Sequence, residues 1–172
     1  MSNLTRFVSL CFALAVAAPV WAGDLPDPVL TPGATNPEVT QDNIRQTVCV
    51  RGYSKSIRPP AYFTNKLKRR QIREYGYADT NPRDYEEDHL IALSIGGAPR
   101  DPRNLWPEPW HSEWNAKKKD QLEFVLFRMV CGRKISLADA QHAMASDWIK
   151  AWKEYVPNHP NYRFTGGRDW VK

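Results

Sequence analysis

Apolar residues recur at helical spacing in two stretches of the second half of the chain. The first stretch predicts a helix from about Glu113 to Val130 that ends before Gly132. Its apolar stripe consists of Leu122, Val125, Leu126 and Met129. The second predicts a helix from Leu137 to Tyr155, with Ser136 as its N-cap and Pro157 as its stop. Its stripe consists of Leu137, Ala140, Met144, Trp148, Ala151, Trp152 and Tyr155. Stripes of this kind are typical of helices that face a core.

A third helix is predicted earlier in the chain, from Thr64, which would cap it, to Tyr75, with Gly76 as its stop. One side of this helix is apolar and the other is basic. The basic side carries Lys66, Lys68, Arg69, Arg70 and Arg73. Such a cluster can follow a phosphate backbone, but a solvated helix face would have the same composition. The β-branched run Thr47–Val50 predicts a short strand.

Between these helices the pattern predicts two strands joined by a wide loop. The first strand lies within Tyr85–Ile95, the loop contains Gly96 and Gly97, and Asn104 begins the return strand. With the helix that follows, the order is strand, loop, strand, helix. We therefore predict a small α+β fold with a single domain over residues 41–156, followed by a tail over 157–172. The proline-rich residues 23–40 are expected to form a linker.

The first 22 residues are typical of a secretory signal peptide. Arg6 precedes an apolar run from Phe7 to Ala18, and Ala22 is a small residue at the expected cleavage point. The run is shorter than the ~20 residues that span a bilayer, so we favour a cleaved signal over a membrane anchor. The mature protein is then periplasmic or secreted and not bound to the membrane.

Removal of this segment takes Cys11 with it and leaves Cys49 and Cys131. Two cysteines in an exported chain favour one disulfide, while two buried thiols are the alternative. The net charge of the whole chain is +5. This modest excess of cations suits an anionic partner but is also common in proteins that bind no nucleic acid.

Candidate chemistry is concentrated between residues 84 and 123. Adjacent residues on a regular strand face opposite sides, so Asp88 and His89 can converge only where the strand ends or bends. Asn115 falls on the stripe that should face the sheet, seven residues before Leu122, and a buried amide needs partners. A metal ion with its waters would provide them. Nearby carboxylates could tune such a site, but we interpret them as surface groups. They are Glu86, Glu87, Asp120 and Glu123.

The runs EDHLIALSIGG, NLWPEP and NAKKKDQLE, in this order, resemble the HNH endonucleases, also called His-Me finger or ββα-metal nucleases. The resemblance covers about 40 residues, and the three runs are similar to those of the exported bacterial subgroup of this superfamily. It implies a metal-dependent endonuclease in which His89 is the general base and Asn104 holds the His89 ring or shapes the loop behind it. Asp88 and Asn115 would bind one divalent ion.

The implied ion is Mg²⁺ or Mn²⁺, because oxygen ligands favour hard cations, although Ni²⁺ or Zn²⁺ would also fit a site with few protein ligands. The implied partner is nucleic acid, with DNA preferred over RNA. Lys118 matches the helix lysine of the family, and it lies between Lys117 and Lys119. Three cations near a helix N-terminus oppose the helix dipole, so a phosphate partner would explain them.

The residues leave several alternatives open. The third family position is often histidine, so His111 is a second candidate for the ligand that we assign to Asn115. A serine hydrolase built on Ser94 is disfavoured, because the glycine elbow around the serine is missing. Two separated cysteines do not make a structural zinc site. The rival functions are a non-catalytic nucleic-acid-binding module with the same fold and a structural protein of the envelope.

Overall fold

The computed structural model describes residues 23–162, so the proposed signal peptide and most of the proposed tail lie outside the described residues. The described chain forms an α+β fold with four α-helices and one two-stranded antiparallel sheet. Its elements are α1 (Tyr53–Ile57), α2 (Ala61–Glu74), β1 (Tyr85–His89), β2 (Leu105–Pro109), α3 (Ala116–Cys131) and α4 (Leu137–Asn158). The predicted order of strand, loop, strand and helix is confirmed. Over residues 23–162 there is no helix with the length and apolar character needed to cross a membrane.

The hairpin of β1 and β2 lies between two helices. The strands pair in unbroken antiparallel register over all five residues of each. Side chains therefore alternate between the two faces of the hairpin. Tyr85 packs against Ile72 of α2, whereas Asp88 binds Lys119 of α3. Because Tyr85 and Asp88 have opposite parity along β1, α2 covers one face and α3 covers the other.

The main core lies between α3, α4 and the loop that follows β1. Both predicted apolar stripes face inward, and Leu122, Leu126, Met144 and Trp148 are fully buried. Helix α3 begins at Ala116 instead of about Glu113, because Asn115 has extended backbone angles and caps the helix. The predicted stripes were therefore correct, while the predicted start was early.

Helix α4 is interrupted at Asp147, and the sequence pattern did not predict this break. Asp147 has non-helical angles, φ −164° and ψ 91°, and its Oδ1 accepts a hydrogen bond from the backbone N of Lys150 at 2.9 Å. Asp147 thus acts as an internal cap for the second half of α4. Ser136 caps the first half as predicted, accepting from the N–H of Asp139. The helix ends at Asn158, one residue after Pro157 and three residues beyond the predicted Tyr155. Pro157 therefore lies in the last turn and the helix stops directly after it.

Helix α2 begins at Ala61, three residues before the predicted Thr64. Pro60 has extended angles and occupies the N-cap position. The Thr64 hydroxyl is already inside the first turns and donates to the Ala61 carbonyl at 3.3 Å. The predicted end was nearly correct, because Tyr75 is the C-cap and the following Gly76 has φ +68°, which a glycine adopts without strain.

The predicted strand at Thr47–Val50 is absent, and a succession of turns stands in its place. The Cys49 N–H donates to the Ile44 carbonyl at 2.9 Å, and the Val50 N–H donates to the Thr47 carbonyl at 2.8 Å. Val48 is fully buried in the main core. The prediction failed because β-branched residues suit buried positions on any backbone, and their presence alone does not supply a partner strand.

Residues 31–39 belong to the folded domain, although their prolines had predicted a linker. The Thr31 hydroxyl donates to the Leu105 carbonyl at 3.1 Å, and the Gly33 N–H donates to the Arg103 carbonyl at 2.9 Å. The Ala34 carbonyl accepts from the Ala98 N–H at 2.9 Å. Val39 is buried in the main core. Irregular backbone can thus be anchored by single hydrogen bonds that leave no periodic pattern in the sequence.

A disulfide joins Cys49 to Cys131, as the cysteine count predicted. It ties the turns around Val48 to the last residue of α3. The two cysteines are 82 residues apart in the chain. On the loop-entropy model, a cross-link over a loop of this size stabilises the folded state by about 4 kcal/mol.

Candidate functional site

Asp88, on the α3 side of the hairpin, is bound to a lysine inside the protein. Nζ of Lys119 donates to Oδ2 of Asp88 at 2.5 Å, to Oε1 of Glu123 at 2.5 Å and to the carbonyl of His89 at 2.7 Å. The Lys119 side chain is completely buried. Its three N–H donors are all used. The interpretation of Lys119 as a phosphate-facing cation was therefore wrong, and so was that of Glu123 as a surface group.

The charges of this cluster depend on one another. Burial opposes the ionisation of Asp88, but the Lys119 ammonium, His89 and the hydrogen bonds from Lys119 and Glu108 together lower the pKa of Asp88 to about 2. Burial would also disfavour a charged lysine, yet the carboxylates of Asp88 and Glu123 hold the pKa of Lys119 well above its usual value. Burial raises the pKa of Glu123 above its usual value, while the Lys119 ammonium acts in the opposite direction and favours the carboxylate. The cluster is thus built on a charged Lys119–Asp88 pair.

A further carboxyl group, that of Glu108, lies on the same face of the hairpin. Glu108 is paired with Glu86 in the register, two positions along from Asp88. It is fully buried, and its carboxyl group is hydrogen-bonded to that of Asp88, with the protonated Glu108 as the donor. Burial raises the pKa of Glu108 well above its usual value, and Asp88 adds to that rise while Lys119 opposes it. The Asp88 side of the site is therefore rich in carboxyl groups and has one buried cation.

His89 ends β1 on the opposite face from Asp88. Its Nε2 lies 3.0 Å from the carbonyl oxygen of Pro99. A carbonyl only accepts, so Nε2 carries the proton and Nδ1 of the neutral ring is left as the basic nitrogen. His89 is 3% exposed. Burial lowers the pKa of His89 to about 4, against the opposing effect of Asp88. The ring is therefore neutral at pH 7.

Asn104 holds the loop between the strands. Its Oδ1 accepts from the Ile91 N–H at 2.9 Å, and its Nδ2 donates to the carbonyls of Ile91 at 3.0 Å and Ala98 at 3.1 Å. Gly97 allows this close packing, because a Cβ there would lie 1.7 Å from the Ile91 carbonyl oxygen. Asn104 was expected either to hold the His89 ring or to shape the loop. These hydrogen bonds shape the loop that contains Pro99.

Asn115 has protein partners of its own. As the N-cap of α3, its Oδ1 accepts from the backbone N–H groups of Lys117 at 3.1 Å and Lys118 at 3.4 Å. Its Nδ2 donates to the Ser112 carbonyl at 3.1 Å. His111, the second candidate for the same role, is an exposed residue whose Nε2 lies 3.8 Å from Oδ1 of Asp84. The residue of α3 that faces Asp88 is Lys119.

As arranged, these residues do not fit the divalent ion that the resemblance implies. Asp88 and Asn115 were the expected ligands, but Oδ2 of Asp88 binds an ammonium group and Oδ1 of Asn115 caps a helix. Over residues 23–162, no group of three or more histidine, cysteine, aspartate or glutamate side chains is arranged to hold a metal. A divalent ion at Asp88 would first have to displace Lys119.

Some of the basic residues of α2 that were predicted to contact nucleic acid are exposed, and others contact the protein itself. Lys66, Arg69 and Arg70 are exposed, although Nε of Arg70 forms a surface ion pair with Glu74 at 3.2 Å. Lys68 is partly buried, and its Nζ donates to the Tyr85 carbonyl at 2.8 Å. The helix thus presents a positive outer surface, while Lys68 fastens it to β1.

An open groove of about 530 Å³ lies between α2 and β1. Its lining includes the cations of Lys68, Arg69 and Arg83 and the indole of Trp110. Glu87 also lines it, and neither oxygen of that carboxyl has a hydrogen-bond partner in the described residues. Burial raises the pKa of Glu87 to about 9, although Lys68 acts in the opposite direction. At pH 7 Glu87 is protonated, which leaves the groove more positive. Glu87 and His89 have the same parity on β1 and share a face.

One of the lysines at the start of α3, Lys118, lies beside two tryptophans. Lys117 is exposed. Nζ of Lys118 lies 4.1 Å from the ring centroid of Trp114, and Nζ of Lys153 lies 4.9 Å from the same ring. These contacts are cation–π interactions. They give Lys118 a partner within the protein, so a phosphate is not needed to explain its position.

Compared with protein-family models, curated proteins and solved structures, this chain has no match. The resemblance to HNH endonucleases therefore stays a prediction that rests on the runs EDHLIALSIGG, NLWPEP and NAKKKDQLE.

Sequence reasoning missed Lys119, Glu123 and Glu108 as members of one buried cluster. Two signals were present for the first pair. Lys119 lies three residues before Leu122 and seven before Leu126, on the buried stripe of α3. Glu123 is four residues after Lys119, so the two side chains are neighbours on one helix face. For Glu108 the sequence carried no comparable signal, because strand positions of a short hairpin alternate without showing which helix will cover them.

Proposed function

We propose that this protein is an exported endonuclease that hydrolyses phosphodiester bonds of DNA, or alternatively of RNA, with His89 as the general base. The observation that carries the proposal is the setting of His89. Its Nε2–H group is fixed on the Pro99 carbonyl, which leaves Nδ1 unprotonated. Asn104 fixes the loop that supplies this carbonyl. A neutral, oriented imidazole is the group that takes a proton from an attacking water.

The proposed proton transfer requires Nδ1 to accept from a water molecule placed in line with the phosphate. The water oxygen bonds to phosphorus, the bond from phosphorus to the leaving oxygen breaks, and the leaving oxygen takes a proton from the solvent. In the free protein, burial keeps the pKa of His89 at about 4. A bound phosphate would bring negative charge next to the ring and would raise that pKa, because an opposite charge favours the imidazolium. Binding of the substrate would thereby increase the basicity of His89.

The proposed binding surface is the face of the hairpin that His89 shares with α2. The groove reaches β1 at Tyr85, Glu86 and Glu87, before His89 in the strand, and it combines Lys68, Arg69 and Arg83 with a protonated Glu87. Several cations close together bind a phosphate backbone through the release of counterions. Trp110 in the same groove offers a flat apolar surface on which a base could stack.

Export is supported by the signal-like first 22 residues and is compatible with the disulfide between Cys49 and Cys131. The ββα arrangement of the HNH nucleases is supported by the order β1, loop, β2, α3 and by the central Asn104. The proposal adds no step that depends on a metal ion, because the residues around Asp88 do not fit one as they stand.

The test is degradation of a plasmid and of an RNA by the oxidised mature protein. Separate reactions contain Mg²⁺, Mn²⁺, Ni²⁺, Zn²⁺ or EDTA. We expect His89→Ala to lower the cleavage rate by a factor of about 10² to 10⁴, the usual contribution of a general base. His142→Ala, which changes an exposed histidine of α4, is the matched control and should cut at the wild-type rate. Equal rates for wild type and His89→Ala would remove His89 from the mechanism.

A non-catalytic nucleic-acid-binding module is the second candidate. It is favoured by the 3% exposure of His89 and by the ion pair that engages Asp88. This function predicts salt-sensitive binding of nucleic acid with no cleavage in any of the five reactions. A structural protein of the envelope would show no appreciable affinity for nucleic acid.

A further inference from the structure

The surroundings of the Lys119 ammonium consist of oxygen atoms from two elements. Nζ lies 2.5 Å from carboxylate oxygens of Asp88 and of Glu123, and 2.7 Å from the carbonyl oxygen of His89. Two carboxylates and a backbone carbonyl are the donor types that hard divalent cations take in proteins. The arrangement is therefore a small oxygen cage with an ammonium group inside it.

The charges around this cage favour a cation at its centre. Three carboxyl groups, those of Asp88, Glu108 and Glu123, contribute to the electrostatics of Lys119. Glu108 and Glu123 are buried, and Asp88 is partly buried. A buried carboxylate without a countercharge is strongly disfavoured. Lys119 supplies that charge from within the chain. Lys119 is the residue of α3 that contacts Asp88 of β1. The resemblance had implied that a residue of this helix would bind a metal ion at this place.

We propose that the ammonium group of Lys119 occupies the cation position beside Asp88, so that the wild-type protein holds no divalent metal ion there and removal of the lysine amine opens a divalent-cation site. The site consists of Asp88, Glu123 and the His89 carbonyl, and its ligand is a hard divalent ion. This inference does not depend on cleavage of nucleic acid, because it concerns which cation the cage contains.

The test is a titration of the oxidised mature protein with Mn²⁺, in which electron paramagnetic resonance measures the free ion. Wild type is expected to show no binding that depends on Asp88. Lys119→Ala is expected to bind one equivalent, at least about tenfold more tightly than wild type, because the variant gains a net negative charge among its ligands. Lys119→Arg keeps the positive charge and is the matched control, which should behave as wild type does. The double variant Lys119→Ala, Asp88→Asn should lose the new site.

Two results would overturn the inference. One is a wild-type protein that binds one Mn²⁺ and loses it on Asp88→Asn substitution. The other is a folded Lys119→Ala protein that binds Mn²⁺ no better than wild type.

Lys119→Ala removes a buried charge and can impair folding, so its thermal unfolding is measured with and without Mn²⁺. The inference expects Mn²⁺ to raise the Tm of this variant, or to restore its folded state, because a ligand that binds only the folded state stabilises it. Wild type and Lys119→Arg should show no such rise. A Lys119→Ala protein that stays unfolded, or keeps the same Tm, in the presence of Mn²⁺ would refute the proposal.

Discussion

At the scale of single residues, the side-chain amide of Asn104 holds the loop between β1 and β2 in its shape. One side chain satisfies three backbone groups, at Ile91 and Ala98, and is itself completely buried. A sequence shows that an asparagine stands after a glycine-rich loop. It does not show which backbone groups the amide will meet, because those are fixed only when the loop closes on itself.

Replacement of Asn104 by Ala should destabilise the protein by about 3 kcal/mol, since it leaves buried backbone groups of the loop without partners. The free energy of unfolding is measured by urea denaturation. Asn65→Ala changes an exposed asparagine of α2 and should alter stability by less than about 0.5 kcal/mol. A loss at Asn104 as small as that at Asn65 would mean that the loop keeps its shape without the amide.

Lys119 is a second case in which one side chain determines a local property, because it determines what kind of site Asp88 can form. Its i,i+4 relation to Glu123 and its place on the apolar stripe of α3 were visible in the sequence. The partner Asp88 lies 31 residues away. A lysine on a buried stripe therefore indicates a buried partner, but only the packing of α3 on the hairpin identifies it.

At the scale of elements, the start of α3 depends on Asn115. The first N–H groups of a helix have no partner within the helix. Asn115 accepts from two of them, which explains why the helix starts at Ala116 and why this polar residue precedes a buried stripe. The same observation that had indicated a metal ligand, a polar residue in line with Leu122, is thus accounted for by capping.

Replacement of Asn115 by Ala should cost about 1 kcal/mol of stability, the usual value of an N-cap, whereas Asn115→Asp should cost little. A carboxylate both caps and interacts favourably with the helix dipole. Urea midpoints of the two variants provide the measurement. A large loss for Asn115→Asp, equal to that for Asn115→Ala, would show that the amide nitrogen and its bond to Ser112 matter more than the cap.

At the scale of the whole molecule, a tyrosine cluster on the α2 side links three parts of the chain. The rings of Tyr75 and Tyr77 lie 5.1 Å apart, and those of Tyr77 and Tyr85 lie 5.4 Å apart. The Tyr75 hydroxyl is hydrogen-bonded to Oγ1 of Thr31 at 2.6 Å. Burial raises the pKa of Tyr75 and of Tyr85 to about 12, and it raises that of Tyr77 further.

These shifts predict a loss of stability at alkaline pH. Unfolded tyrosines lose their protons near pH 10, while the folded Tyr75 and Tyr85 retain theirs until about pH 12. The unfolded state therefore binds fewer protons in this window, and stability falls as pH rises from 10, by about 1.4 kcal/mol per pH unit for each such tyrosine.

The measurement is urea denaturation between pH 8 and pH 11. Lysines also titrate in this range, but they contribute equally to all variants, so the variants are compared with one another. Tyr77→Phe should reduce the slope of stability against pH. Tyr62→Phe, at a position that is 77% exposed, should leave it unchanged. Equal slopes for wild type and Tyr77→Phe would contradict the account.

The sequence by itself determined the parts of this protein that depend on neighbouring residues. The apolar stripes of α3 and α4, the Ser136 cap and the order of strands and helix follow from local periodicity and turn residues. The pairing of Cys49 with Cys131 followed from their number once the first segment was set aside. Local patterns sufficed because each feature involves contacts within a few residues or a single choice of partners.

Tertiary structure alone decided what each polar residue of the candidate site contacts. It placed Asp88 against Lys119 and His89 against Pro99, and it packed residues 31–39 onto the loop and β2. It also removed the strand expected at Thr47–Val50. The physical reason is that buried polar groups must find partners wherever the folded chain brings them, and those partners lie far away in sequence and leave no local pattern.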